Sequence, residues 1–171
     1  FTINAMAVPS AVVAEYFEKS DRDVACIVER AIDPYGGLKD IESGILRLVS
    51  PEAFEDDAGR LLRAIRLSAQ FGLMLDATTK DQLRASAGRV ADVPGERLRE
   101  ELLTILELDG AAESIKRMDA LGLLTALIPE LEAGRGVEQP TSHFWDVLEH
   151  SLQSVAAFEF ITGRGDWQYG N

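Results

Sequence analysis

Residues 54–66 read Phe-Glu-Asp-Asp-Ala-Gly-Arg-Leu-Leu-Arg-Ala-Ile-Arg, and they carry the residue types best suited to chemistry in this chain. Asp57, Arg60, Arg63 and Arg66 recur at steps of three. At about 100° per residue, such steps wind a stripe of charge slowly around a helix. Ala58, Leu61, Leu62, Ile65 and Ala69 gather on the other side, where they can face a core. Three guanidiniums beside one carboxylate suit an anionic ligand that also has a base to read. Cytosine and adenine each present an exocyclic amine next to a ring nitrogen acceptor. A carboxylate accepts and a guanidinium donates, so an Asp–Arg pair matches either edge. Guanine and uracil set a carbonyl where the amine would be. Arg63 and Arg66 are then placed for phosphates. The alternative is an exposed helix face with an i,i+3 ion pair, worth a few tenths of a kcal/mol. Spacing alone leaves both open.

The elements around this stripe differ between the two parts of the chain. Residues 1–49 hold the strand character, with apolar residues alternating over 1–8 and β-branched-rich runs at 26–32 and 45–49. Asp33-Pro34-Tyr35-Gly36-Gly37 is a turn sequence, and 38–43 reads as one or two helical turns ended by Gly44. From residue 50 the pattern is helical. Ser50-Pro51-Glu52 reads as a helix start with a capping Ser. The periodicity predicts helices over 57–71, stopped by Gly72, then over 76–90, 94–106 and 111–121, with a short apolar segment at 123–127. Residues 132–142, with Gly134, Gly136 and Pro140, read as a linker. A last amphipathic helix over 143–161 has Phe144, Val147, Leu148, Leu152 and Val155 as its stripe. Residues 163–171 lack a helical pattern.

At 171 residues, 46% apolar and 27% charged, the chain has the composition of a globular protein with a core. Its formal net charge of −12 disfavours non-specific nucleic-acid binding, so RNA must meet local basic patches. Cys26 stands alone, which excludes a disulfide framework and fits a reducing, cytoplasmic setting. No apolar run reaches membrane-spanning length. The sequence begins Phe1-Thr2-Ile3-Asn4 without Met and reads as a piece of something longer.

Four blocks, in order, resemble the class II tRNA nucleotidyltransferase and bacterial poly(A) polymerase family. Phe1-Thr2-Ile3-Asn4-Ala5-Met6-Ala7 resembles the end of its Arg-Arg-Asp-x-Thr block. Asp33-Pro34-Tyr35-Gly36-Gly37 resembles its Asp-Pro-x-x-Gly linker. Asp56-Asp57-Ala58-Gly59-Arg60 resembles its Glu-Asp-x-x-Arg block, with Asp56 in place of the usual Glu and Ala58 in place of a common Pro. Glu96-Arg97-Leu98-Arg99-Glu100-Glu101-Leu102 matches its Glu-Arg-x-x-x-Glu-Leu block. The similarity covers roughly residues 1–150.

The resemblance implies a mostly α-helical α+β fold with three parts. Residues 1–49 would be the C-terminal part of a nucleotidyltransferase head and hold the remnant of a small sheet. Residues 50–131 would be a helical neck that reads the nucleotide base and binds RNA. Residues 132–171 would be a linker and the start of an HD-like helical body. The implied activity is template-independent addition of nucleotides to RNA 3′ ends, as in tRNA CCA addition or repair or in poly(A) addition. CTP and ATP would be substrates, and a tRNA or other RNA 3′ end the partner. Asp57 and Arg60 resemble the base readers, and Arg63 and Arg66 the residues that hold the triphosphate or support those readers. Thr2 and Asn4 would lie near the nucleotide. Glu96 and Arg97 resemble a structural pair behind it, with Asp56 as further support. The family's Asp-x-Asp pair, which holds Mg²⁺, would precede residue 1. No residue of this chain is then a catalytic one.

Two other classes remain at this point: a helical RNA- or protein-binding module without a nucleotide site, and an HD-type metal phosphohydrolase. For the second, Trp145-Asp146-Val147-Leu148-Glu149-His150 resembles the first helix of an HD domain, which makes His150 the candidate ligand. The chain has no His-Asp dipeptide, and His143 lies two helical turns from His150, too far to share one ion simply. Glu52, Glu55 and Glu100-Glu101 read as solvated helix faces, and Arg164-Gly165-Asp166 as a coincidental adhesion tripeptide.

Overall fold

A computed structural model describes residues 1–18, 24–139 and 144–164. His143 and most of the Arg164–Asp166 tripeptide lie outside the described residues, as does the rest of the C-terminal tail. The chain is mostly helical, with a two-stranded sheet. A 3-10 turn at Thr2–Asn4 leads to helices α1 (Ser10–Glu18), α2 (Ala25–Val28) and α3 (Gly37–Glu42). Strand β1 (Ile45–Leu46) follows, then α4 (Ala53–Asp56), α5 (Arg60–Phe71) and β2 (Met74–Leu75). Helix α6 (Ala77–Ser86) runs into a 3-10 segment, Ala87–Asp92. After it come α7 (Gly95–Glu107), α8 (Ala111–Ala120), α9 (Leu123–Leu127), a 3-10 segment Pro129–Gly134, and α10 (Val147–Ile161).

The strand runs expected before residue 50 are largely not strands. Residues 1–8 form the 3-10 turn and then one antiparallel bridge, Ala7 to Ile32. The run at 26–32 folds as α2 and reaches extended pairing at Ile32 alone. β-branched residues favour strands when a pleated surface packs against them, and Val28 and Ile32 are exposed. The run at 45–49 keeps two residues as β1, and its parallel partner β2 lies after α5, beyond the expected head. The segment 10–18, which carried no sequence assignment, is α1.

Asp33 explains the turn that follows the bridge. Its carboxylate accepts the Gly37 and Leu38 amides at 2.7 and 2.9 Å and so caps the start of α3. Those backbone bonds hold its carboxyl below the usual pKa range. Asp76 caps α6 in the same way through the Thr79 amide, at 3.1 Å. Asp146 caps α10 through Glu149, at 2.7 Å, so that helix starts at Val147 rather than at 143. Ser50 does not cap a helix with its side chain. Its carbonyl accepts from Ala53, and α4 starts two residues later than the sequence signal placed it.

The core is continuous across the three expected parts. Phe1, Leu46 and Leu48 join Phe54, Leu61, Leu62, Ile65 and Leu83, and the cluster extends through Ile105, Met118 and Leu123 to Leu148 and Leu152. Helix α5 is its axis, with Leu61, Leu62, Ala64, Ile65, Leu67 and Ser68 buried. Gly72 ends α5 at φ +64°, a backbone conformation that other residues rarely adopt, and Leu73 returns its amide to the Ser68 carbonyl at 2.9 Å. No helix among the described residues is long and apolar enough to cross a membrane.

Candidate nucleotide site

The structure breaks the stripe at its first residue. Helix α4 ends at Asp56, and Asp57 is extended, at φ −152° and ψ 102°. The cause is local. The Asp57 carboxylate accepts the amide of Gly59, two residues on, at 2.9 Å, a bond that competes with helix continuation. Helix α5 then starts at Arg60, so Arg60, Arg63 and Arg66 share one helix and Asp57 stands at its mouth.

Four of the expected nucleotide residues line one cleft of about 350 Å³: Asn4, Asp57, Arg60 and Arg63, together with Phe1, Ala5 and Val49. Arg60 is pinned by a hydrogen bond from one guanidinium nitrogen to the Ala53 carbonyl of α4, at 3.0 Å. Its other nitrogens remain for a ligand. Arg63 is exposed, and its guanidinium takes part in no hydrogen bond or ion pair among the described residues. A free cation of this kind suits phosphate.

Arg66 does not reach the cleft. It is half-buried and donates to Glu101 on α7 at 2.6 Å and to Gln70 at 2.8 Å. Thr2 is buried with its hydroxyl on Asp40, at 2.8 Å, and sits behind the cleft rather than in its lining. Asp56 and Glu96 are exposed and outside the lining. Arg97 has a specific partner. It forks across Asp57, with N–H bonds of 3.2 Å to Oδ1 and 3.1 Å to Oδ2. The Arg97 guanidinium holds the Asp57 carboxyl below its ordinary pKa, aided by the Gly59 amide and opposed by burial. The carboxylate is therefore an acceptor at neutral pH.

Sequence reasoning paired Asp57 with Arg60, three residues away. The structure pairs it with Arg97, forty residues away, and gives Arg60 to a backbone carbonyl. Gly59 and the Ala53 carbonyl were not singled out either. Gly59 falls on a position that the Glu-Asp-x-x-Arg block leaves open, and a backbone acceptor leaves no trace in side-chain type. His150 lies on α10, and among the described residues no three His, Cys, Asp or Glu side chains are grouped to hold a metal ion.

A family model described as a probable RNA and SrmB-binding site of polymerase A matches residues 72–134. The chain is 35% identical over 142 residues to an A-adding tRNA nucleotidyltransferase of Deinococcus radiodurans, a match covering 80% of this chain and 32% of that protein. It is 35% identical over 152 residues to a multifunctional CCA protein of Pseudomonas aeruginosa, covering 84% and 36%. The structure of a CCA-adding enzyme in complex with ATP superimposes with a TM-score of 0.62 at 30% identity, covering 82% of this chain and 30% of that one. The chain thus spans about a third of the length of the curated relatives it matches. With the ordered blocks, the helical architecture and these likenesses together, the chain belongs to the tRNA nucleotidyltransferase and poly(A) polymerase family.

Proposed function

We propose that this chain is the base-reading part of a template-independent nucleotidyltransferase acting on RNA 3′ ends, a tRNA CCA end or a poly(A) tail. The observation that carries this is the convergence of Asp57, Arg60, Arg63 and Asn4 on one cleft. The ionised Asp57 accepts from the exocyclic amine of cytosine or adenine, and Arg60 donates to the neighbouring ring nitrogen. A carbonyl in the amine's place, as in uracil or guanine, meets the carboxylate unfavourably. Arg63 takes the triphosphate. Arg66, tied to Glu101, supports Arg63 and Arg60 by fixing α5 against α7. Residues 72–134, which match the RNA-binding family model, take the RNA strand.

In this reading 1–49 closes the head, 50–131 is the neck and 132–171 leads into a helical body. Mg²⁺ is held by carboxylates in the further two-thirds of polypeptide that the relatives have, and the whole protein works in the cytoplasm. This chain's own contribution is selection and orientation of the incoming nucleotide. Titrating the chain with CTP, ATP, GTP and UTP, followed by amide shifts at Asp57, Arg60 and Arg63, tests it. CTP and ATP are expected to move these resonances at concentrations where GTP and UTP do not. An equal response to all four refutes base reading.

A further inference from the structure

The Asp57 carboxylate is already engaged on three sides. Oδ1 accepts the Gly59 amide and one Arg97 nitrogen, and Oδ2 accepts the other Arg97 nitrogen. An ionised carboxylate offers about four acceptor positions, so the protein leaves one, on Oδ2. A forked Arg–carboxylate contact also fixes the plane of the carboxylate, which a single contact does not.

Gly59 admits this fork. Its backbone, at φ −60° and ψ −20°, is ordinary helical geometry that any residue adopts. Space is what excludes a side chain. A Cβ at Gly59 would lie 2.5 Å from a terminal nitrogen of Arg97, 2.8 Å from its Cζ and 3.0 Å from Asp57 Oδ1. The guanidinium occupies the volume that any other residue would fill.

We propose that Arg97, admitted by Gly59, is a specificity-determining positioning residue. It turns Asp57 so that one acceptor meets the base amine, and selection then follows from orientation and not from negative charge alone. This rests on the reading of Asp57 as a base reader. A merely structural Arg97, one that ties α7 to the α4–α5 junction, would weaken all four nucleotides together when lost.

Two variants separate these roles. Gly59→Ala pushes the guanidinium off the carboxylate and leaves both charges in place. Arg97→Lys keeps a cation beside Asp57 and loses the fork. Affinities for CTP, ATP, UTP and GTP are measured by calorimetry on the wild-type chain and both variants, each checked for a cooperative thermal transition. The wild type is expected to prefer CTP over UTP by about tenfold or more. In both variants that preference is expected to fall to about threefold or less, mainly through weaker CTP and ATP binding. A wild type that discriminates while both variants keep its ratio overturns the positioning role and leaves the base-reading proposal intact. Retention of the ratio by Arg97→Lys alone shows that charge suffices and also overturns it. A wild type without preference, or without binding, removes the reading of Asp57 and this proposal with it.

Discussion

The region from α4 to α9 and the region before it are held by different forces. In the first, Phe54, Leu61, Leu62, Ile65, Leu83, Ile105, Met118 and Leu123 are almost wholly removed from water. Residues 1–49 bury few apolar side chains, among them Phe1, Val12, Leu46 and Leu48. They depend on a polar chain instead: Thr2 on Asp40, Arg47 across Asp40, and Arg47 again on Asp76, the cap of α6. Burial is non-directional and secures a whole face, whereas hydrogen bonds secure particular atoms in particular places. The candidate site lies on the seam. Asp57, Arg60 and Arg63 come from the hydrophobically anchored side, and Phe1, Asn4 and Ala5 from the side wired by polar contacts.

The contrast predicts where damage spreads. Ile65→Ala, at the buried centre of α5, is expected to cost about 2–5 kcal/mol through lost burial and the cavity left behind. The whole chain should feel it as a lower urea midpoint, and nucleotide binding should fail at concentrations of denaturant the wild type survives. A cost under about 1 kcal/mol would mean that α5 is not the axis of the core. Asp40→Ala is expected to be milder and more local. It strands the buried Thr2 hydroxyl at a cost of about 1–3 kcal/mol. Hydrogen exchange should quicken at the amides of Thr2 and Ala5 while those of α5 and α8 keep their protection. Uniform loss of protection would show that the polar chain and the apolar core are one cooperative unit.

A buried polar contact also ties α10 to the hydrophobic side. Glu159 of α10 is buried, and its two carboxylate oxygens accept the first amides of α8, Ala111 at 2.7 Å and Ala112 at 2.9 Å. A carboxylate there satisfies two amides that the helix itself leaves unpaired, and it faces the positive end of the helix dipole. Glu159→Gln keeps the shape, removes the charge and sets an NH2 donor against one of the two amide N–H groups. The expected loss is about 1–3 kcal/mol, read as a lower Tm. No change in Tm would mean that α10 is held by Leu148 and Leu152 alone.

What the sequence made legible follows the same division. Helices over 60–71, 95–107 and 111–120 were readable because apolar residues recur at the helical period and Gly72 marks a stop. The region before residue 50 was not, since two-residue strands exist only through a partner, and β1 has its partner twenty-nine positions on. At the site, residue types and block order singled out Asn4, Asp57, Arg60 and Arg63, which the structure brings to one cleft. The break at Asp57 escaped because a helix and an Asp turned onto its own backbone share the same local sequence. The Arg97 fork escaped because spacing along one helix says nothing of a guanidinium arriving from another.

That fork has a pH signature, the smallest of these effects in stability because Arg97 and Asp57 are both partly exposed. Arg97 depresses the Asp57 pKa in the folded chain, so in the unfolded chain the carboxyl returns to its ordinary value of about 3.9. The stabilisation it gives is complete above that ordinary value and is lost as pH falls through the lower, folded one. The ionised Asp57 that base selection requires is therefore expected to persist from neutral pH down to about 5 and to be lost only below the usual carboxylate range. Carboxyl carbon resonances followed against pH report the midpoint directly. Arg97→Gln should move that midpoint upward toward the ordinary value, since the largest cause of the depression is gone. A wild-type midpoint at or above the ordinary value would mean that the guanidinium does not grip the carboxylate in solution, and that the two sides of the seam meet at Asp57 without the arginine between them.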